Sequence, residues 1–200
     1  TMARLPDLID FAREHGLKIG TIADLIHYRS QNESIVERIA SRTMHTAHGT
    51  FEAIAYRDKP SGGAHLALVH GNISPELETL VRVHQPVSIL DILETQETTH
   101  SWNMSAAMAA IHAAERGVMV LLNCEESAEQ LFAQFDALNN PDAKPQSRGS
   151  SMDLRTYGIG AQILKDLRVG KMALLANPRK MPSMTGFNLE VVGYRDKPNH

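Results

Sequence analysis

The residues best suited to chemistry lie close together near the C-terminal end of the chain. Asp153 and Arg155 open a segment with helical apolar spacing, and Arg179 and Lys180 follow a short apolar run. Open α/β sheets bind ligands beyond the carboxyl ends of their strands, and guanidinium and ammonium groups bind anions. The spacing therefore indicates an anion site at a strand end, although a solvated basic turn fits the same residues.

A helix and a buried strand are expected to position these side chains. Asp153 is placed to cap the helix, Gly170 to end it, and Lys165 near its end suits the helix dipole. Met172–Ala176 is an apolar run of the length of a fully buried strand. The basic turn thus leaves the carboxyl end of that strand. The apolar face of the predicted helix comprises Tyr157, Ile159, Ile163, Leu164 and Leu167.

Three motifs in this region, RTYGIGAQIL, LLANPRK and LEVV, resemble the C-terminal half of GTP cyclohydrolase II, the zinc enzyme that opens riboflavin synthesis. Asp153 and Arg155 match the functional aspartate and arginine of that family, so the resemblance implies a catalytic role for both. It also implies that Arg82, Glu125 and Lys180 belong to a cleft for GTP or another phosphate ligand.

The cysteines that hold zinc in that family are missing from this chain. Counting without a gap from Arg82, their positions fall on Val87, Thr98 and His100. Valine cannot bind a metal, threonine is a poor ligand, and only the histidine is suitable. The one cysteine of the chain, Cys124, lies elsewhere and is expected to be an apolar filler at a strand end. We therefore expect this domain to have no metal site and no zinc.

A second family motif is lost directly after the predicted strand that precedes Asn123. The family carries Arg-Gln-Glu-Gly-Arg there, with an arginine that faces the triphosphate of GTP, whereas this chain reads Asn-Cys-Glu-Glu-Ser. Glu125 matches, but Glu126 and Ser127 replace the Gly-Arg pair and reverse the local charge. These losses favour a structural interpretation of the retained pair, in which Asp153 caps the helix and Arg155 pairs with it or contacts solvent.

The other histidines give weaker signals. His84 is expected to be a buried histidine at the core edge, and His45 and His48 lack partners at metal-ligand spacing. His65 and His70 bracket a predicted strand and indicate no function.

Residues 1–30 predict a helix, a short extended segment and a second helix, with Thr21 as the cap of the second. They resemble the C-terminal end of 3,4-dihydroxy-2-butanone 4-phosphate synthase, whose active-site residues lie upstream. We therefore expect residues 1–34 to be the tail of that domain plus a linker, and residues 35–200 to be the cyclohydrolase-like domain. The resemblance implies that Thr1 lies inside a longer two-domain protein and that magnesium and lyase activity belong to its other domain.

The fold class expected for the second domain is α/β, a mixed sheet between helical layers. Apolar runs and alternation, separated by turn residues such as Gly49, predict the strands, and an Ala-rich stretch predicts a helix. The predicted strands are Ile35–Met44, Phe51–Tyr56, Ala64–Val69, Leu80–His84, Val118–Leu122, Met172–Ala176 and Asn188–Tyr194, and further helices are predicted over Ser105–Arg116 and Glu125–Ala137.

Composition excludes several classes of function. The chain has 20 basic and 23 acidic residues, which favours neither a nucleic-acid nor a membrane partner. No apolar run reaches membrane-spanning length, nothing resembles a signal peptide, and a single cysteine excludes internal disulfides. A cytoplasmic protein is expected.

Three hypotheses follow for the function of the chain. The first is a non-catalytic, homodimeric module that dimerises or regulates the attached synthase. The second is a zinc-independent hydrolase or binder of a nucleotide or phosphate ligand that uses Asp153, Arg155 and Lys180. The third is a small-molecule sensor in the same cleft.

Overall fold

The structure, a computed structural model, describes residues 3–85, 88, 93, 101–129, 131–132, 154–178 and 184–197, without the side chains of residues 23, 26, 30, 31 and 154. Within these ranges the elements follow the predicted order. They are α1 (Leu5–Glu14), α2 (Ile22–Asn32), β1 (Val36–Thr46), β2 (Gly49–Asp58), β3 (Ala64–His70), β4 (Glu78–His84), α3 (Met104–Ala113), β5 (Gly117–Leu121), α4 (Leu154–Asp166), β6 (Lys171–Leu175), a 3-10 helix (Thr185–Phe187) and β7 (Glu190–Arg195).

The seven strands form one mixed sheet in the order β1-β2-β3-β5-β4-β6-β7. β1, β2 and β3 pair antiparallel, as do β3 and β5. β4 pairs parallel with both β5 and β6, and β6 pairs parallel with β7. The carboxyl ends of β4, β5 and β6 therefore share one edge of the sheet with the start of β3, and this edge carries the candidate site.

Helices cover both faces of the sheet, as the predicted fold class requires. β5 is buried along its whole length, and its residues alternate between two apolar clusters. Val118 and Val120 pack in the cluster that contains α4, whereas Met119 and Leu121 pack in the cluster that contains α3. The prediction of a mixed α/β sheet between helical layers is confirmed.

Polar contacts fix α4 across the antiparallel half of the sheet. The Tyr56 hydroxyl donates to Asp166 Oδ2 at 2.6 Å, and Arg38 Nη2 donates to the same oxygen at 2.7 Å. Burial raises the pKa of Tyr56, and the hydrogen bond to Asp166 raises it further. Near the middle of the helix, Gln162 Oε1 accepts from the Ile35 N–H at 2.7 Å. These contacts fix the C-terminal half of α4 to β1, to β2 and to Ile35, which precedes β1.

The structure corrects three predicted helix boundaries. α4 ends at Asp166, and Arg168, not Gly170, adopts the left-handed conformation that follows it, with φ of 62°. The Val169 N–H donates to the Leu164 carbonyl and the Arg168 N–H to the Lys165 carbonyl, which is a Schellman ending. α3 ends at Ala113, before the predicted Arg116. Residues 122–127 are not helical, so the helix predicted from Glu125 begins later, and its end lies outside the described residues.

The two predicted N-terminal helices are present, and Thr21 caps the second as predicted. Thr21 Oγ1 accepts from the Asp24 N–H at 3.0 Å, and Asp24 accepts from the Thr21 N–H, which forms a capping box. Many apolar side chains of this segment are nevertheless exposed, at 40% to 74%. They are Leu5, Leu8, Ile9, Phe11, Leu17, Ile19, Ile22, Leu25 and Tyr28.

No helix in the described part of the chain is both long enough and apolar enough to cross a bilayer.

Candidate functional site

A cavity of about 300 Å³ lies at the carboxyl ends of β4 and β6, beneath the N-terminal half of α4. Its walls are mostly apolar because β4 and β6 are buried strands and α4 presents small residues, Gly160 and Ala161, to them. Amide and hydroxyl side chains also line the cavity. The polar side chains that line the cavity, apart from Arg82, are Gln85, Ser101, Thr156, Tyr157 and Asn177.

Arg82, predicted as a cleft residue, does line this cavity but is buried in its wall. Its Nη1 donates to the Leu175 carbonyl at 2.8 Å, and its Nη2 donates to the Trp102 carbonyl at 2.9 Å. These bonds connect β4 to the end of β6 and to the segment before α3. The guanidinium therefore holds the cavity wall together.

Arg155, from the first turn of α4, contacts a carboxylate that the sequence did not point to. Its Nη2 donates to Asp58 Oδ2 at 3.3 Å, and the Asp58 side chain is only 2% exposed, against 48% for Arg155. The Ser61 hydroxyl donates to the same carboxylate oxygen of Asp58. Asp153, the predicted companion of Arg155, lies outside the described residues. The retained arginine is thus paired across the sheet edge with the end of β2.

His65, at the start of β3, is the second residue that sequence reasoning missed. Its ring is buried, and Nδ1 accepts from the Asn123 N–H at 3.1 Å, so the proton must be on Nε2. Among the described residues, the buried Nε2 has no hydrogen-bond partner. Burial lowers the pKa of His65 below its ordinary 6.5, and the charges of Asp58 and Glu125 oppose this effect. The neutral ring therefore anchors Asn123, which has φ of 54°, at the end of β5.

The residues that follow β5 include an exposed carboxylate, Glu125, and a half-buried thiol, Cys124. The charge of Glu125 acts on both His65 and Cys124. Burial raises the pKa of the Cys124 thiol, which donates to the Leu121 carbonyl at 3.6 Å. The thiol is therefore held protonated, as suits a residue that fills space at a strand end.

The described residues do not fit a catalytic zinc ion. Val87, Thr98 and His100 lie outside the described ranges, and within those ranges no group of three or more His, Cys, Asp or Glu side chains is arranged to hold a metal. His84 is buried next to the Arg82 cation, whose Nη2 lies 3.5 Å from its Nδ1. A cation at that distance disfavours a second positive ion there.

The structure describes some of the remaining predicted residues and not others. Lys180 and its neighbour Arg179 lie outside the described residues. His48 Nε2 lies 2.9 Å from Ser105 Oγ, and His45 Nδ1 lies 3.0 Å from Thr50 Oγ1, so both have ordinary polar partners. Of the predicted site residues, the structure therefore places Arg82, Glu125 and Arg155 along one sheet edge.

Comparison with known proteins gives concordant results. The family model described as GTP cyclohydrolase II matches residues 37–196. A protein from Neisseria meningitidis serogroup B, named 3,4-dihydroxy-2-butanone 4-phosphate synthase, is 44% identical over 98% of this chain and 52% of its own length. A riboflavin biosynthesis protein RibBA from Aquifex aeolicus is 40% identical over 96% of this chain and 49% of its own length.

A solved structure agrees with these sequence relatives. It is described as RibBX, a two domain 3,4-dihydroxy-2-butanone 4-phosphate synthase from A. baumannii. It aligns with a TM-score of 0.57 at 41% identity and covers 97% of this chain and 50% of its own. The chain thus spans about half the length of the relatives that it matches.

Proposed function

The chain belongs to the GTP cyclohydrolase II family, and we propose that it is a non-catalytic member. In this proposal it is part of a riboflavin biosynthesis protein and serves an attached 3,4-dihydroxy-2-butanone 4-phosphate synthase, as a homodimerisation or regulatory module. Relatives at 44% and 41% identity carry that synthase name and are about twice as long, which supports the proposal.

The observation that carries the proposal is the cysteine content of the chain. A hydrolytic zinc needs protein ligands around it and one open position for water, and this family supplies thiolates. The chain has one cysteine, Cys124, and burial raises the pKa of its thiol. The positions counted for the zinc cysteines hold Val87, Thr98 and His100. We therefore assign no zinc to this domain, and magnesium is expected only in the synthase domain.

The partner in this proposal is the synthase domain of the same protein. The exposed apolar side chains of α1 and α2 provide an apolar surface of the kind that marks interaction sites. We propose that the synthase domain covers this surface. Hydrogen exchange then tests the contact: α1 and α2 should exchange more slowly in the full-length protein than in this chain. Equal exchange rates in the two samples would contradict it.

The functional role is tested on the full-length protein. Removing residues 35–200 should change either its dimerisation or its rate of 3,4-dihydroxy-2-butanone 4-phosphate formation, since a module of this kind has no other output. Light scattering and a product assay measure both quantities on the same samples. A truncated protein with unchanged oligomeric state and rate would exclude both dimerisation and regulation.

A second candidate function is that of a zinc-independent binder or hydrolase of a nucleotide or phosphate ligand. The 300 Å³ cavity favours it, since pockets that hold small molecules begin near this size. Arg155 stands on the first turn of α4 beside that cavity, and Asp153 and Lys180 flank the same elements in sequence. Calorimetry with GTP measures the binding, and an absence of heat with GTP and with other phosphate ligands would remove this candidate.

A further inference from the structure

The connection between the N-terminal helices and the sheet is short. Only residues 33–35 separate α2, which ends at Asn32, from β1, which begins at Val36. These three residues join the segment assigned to the synthase domain to the cyclohydrolase-like domain. A loose linker lets two domains move relative to each other, and its backbone groups then bind water. The backbone groups of this connection instead bind two side chains and one backbone N–H of the cyclohydrolase-like domain.

Gln162, on α4, contacts two residues of the connection. Its Oε1 accepts from the Ile35 N–H at 2.7 Å, and its Nε2 lies 3.5 Å from the Glu33 carbonyl oxygen. A side-chain amide both donates and accepts, so one glutamine can bind an N–H and a carbonyl of the same stretch of backbone. The Ile35 side chain also packs against the apolar cluster that contains α4.

Lys59, which follows β2, is the second residue that holds the connection. Its backbone N–H donates to the Ile35 carbonyl at 2.8 Å, and its Nζ donates to the Ser34 carbonyl at 2.9 Å. Both groups of Ile35 and the carbonyl of Ser34 therefore have partners on α4 or after β2. Each such bond restricts the backbone dihedrals that would otherwise let α2 swing away from the sheet.

α2 is joined directly to the connection. The Glu33 N–H donates to the Arg29 carbonyl at 2.7 Å, and the Arg29 side chain pairs with the Glu33 carboxylate at 2.8 Å. α2 also packs against the 3-10 helix, whose N-cap residue, Met184, lines the cavity beneath α4. On α4, Gln162 is adjacent to Ala161, which lines the same cavity. Both attachments of α2 therefore lead to walls of the cavity.

We propose that Gln162 and Lys59 clamp residues 33–35 and hold α2 in one orientation to the sheet, so that the synthase domain follows the position of α4. Residues 33–35 are then a rigid joint, and a displacement of α4 reaches the synthase domain through α2. The clamp depends only on contacts within this chain, whereas its consequence for the synthase rests on the proposed function.

Nuclear magnetic resonance on the 200-residue chain tests the clamp itself. Gln162→Ala removes the acceptor of the Ile35 N–H, so exchange of this amide with solvent should become about tenfold faster. Gln162→Glu keeps an oxygen acceptor and should retain the slow exchange. The control is Gly158→Ala on the same helix, where a Cβ meets no atom within 4 Å, and it should leave the exchange unchanged.

Residual dipolar couplings on the same samples measure the orientation of α2. In the parent, the couplings of α2 and of the sheet should fit one alignment tensor. In the double variant Gln162→Ala, Lys59→Ala, the couplings of α2 should fall below the values that this tensor gives. Equal Ile35 exchange in the parent and Gln162→Ala, or α2 couplings in the parent that do not fit the tensor of the sheet, would overturn the clamp.

The rate of 3,4-dihydroxy-2-butanone 4-phosphate formation by the full-length protein tests the consequence for the synthase. The double variant should lose the difference in rate between the parent and the protein without residues 35–200, whereas Gly158→Ala should keep the parent rate. A double variant that keeps the parent rate, where truncation changes it, would overturn the coupling alone. A truncation without effect on the rate would remove the proposed regulation and the coupling with it, and would leave the spectroscopic result for the clamp unaffected.

Discussion

Asp58 is a buried carboxylate that connects the end of β2 to the first turn of α4. Its carboxylate is buried, accepts from Ser61, and is paired with Arg155 at 3.3 Å. Removing a group from a buried polar network leaves its hydrogen-bond partners unsatisfied. The pair therefore holds the β2 end against the first turn of α4.

Replacing Asp58 with asparagine should lower the free energy of unfolding by about 1–3 kcal/mol, because the cation of Arg155 and the Ser61 hydroxyl lose their charged acceptor. Urea unfolding followed by circular dichroism measures the change. Asp10, whose pair with Arg13 at 3.3 Å is exposed on both sides, gives the matched control, and Asp10→Asn should leave stability unchanged. Equal stability of the Asp58 variant and the parent would show that the buried pair contributes nothing.

His65 should make stability depend on pH. Because burial lowers its pKa in the folded state, the unfolded chain binds a proton near pH 6.5 that the folded chain does not bind. The stability is therefore full above that pH and is lost as pH falls toward the lowered folded pKa. In His65→Asn, which keeps an acceptor for the Asn123 N–H but cannot be protonated, this loss should be smaller.

The comparison requires unfolding curves at about pH 7.5 and about pH 5.5 for the parent, His65→Asn and His45→Asn. His45 is exposed, so its variant should retain the pH dependence of the parent. If His65→Asn loses as much stability on acidification as the parent does, the buried ring of His65 is not the source of the pH dependence.

The sequence pointed to one residue of the Arg155–Asp58 contact and to neither residue of the His65–Asn123 contact. Arg155 was found because it belongs to a recognisable motif, whereas Asp58 lies 97 residues away on another strand. Likewise, His65 and Asn123 are 58 residues apart, and only the antiparallel pairing of β3 with β5 brings them together. The one local signal was that His65 alternates with the buried Ala67 and so faces inward with it.

Among the elements, α4 and the turn after it position the cavity. Arg168 ends this helix, whereas Gly170 is required for close backbone packing. A Cβ at Gly170 would lie 2.3 Å from the Pro75 carbonyl oxygen, so only glycine allows the segment before β4 to pack against the start of β6.

Two substitutions distinguish these roles. Gly170→Ala should destabilise the protein by about 1–3 kcal/mol, because backbone atoms must move to admit the methyl group. Arg168→Gly should leave stability unchanged or raise it by up to about 1 kcal/mol, because glycine adopts the left-handed conformation without strain. Thermal unfolding measures both. A destabilising Arg168→Gly would contradict the left-handed conformation of Arg168, and an unchanged stability of Gly170→Ala would contradict the close packing of Gly170 against Pro75.

The strands could be predicted from sequence because buried strands are short apolar runs with clear turn residues between them. Helix ends were harder to predict because composition changes little there. The Ala-rich run continues past Ala113, yet Ala114 turns out of the helix with ψ of 159° to lead into β5. Tertiary placement, and not propensity, sets that boundary.

For the whole molecule, the order of the strands explains why the site lies where it does. Three antiparallel strands are joined to a parallel set through the β3–β5 pair, so a polar β2–β3 turn meets the carboxyl ends of β4, β5 and β6. Motif resemblance predicted a mixed sheet between helical layers. Hydrophobic periodicity could not give this order, because it reports only which face of a strand is buried.

We propose that this member of the GTP cyclohydrolase II family does not perform zinc-dependent hydrolysis. The most direct test is to measure zinc content and GTP turnover on one purified sample, after incubation with zinc and removal of the excess. We expect well below one zinc per chain and no turnover above that of buffer. Stoichiometric zinc together with GTP turnover would contradict it and would show that ligands other than cysteine have rebuilt the metal site.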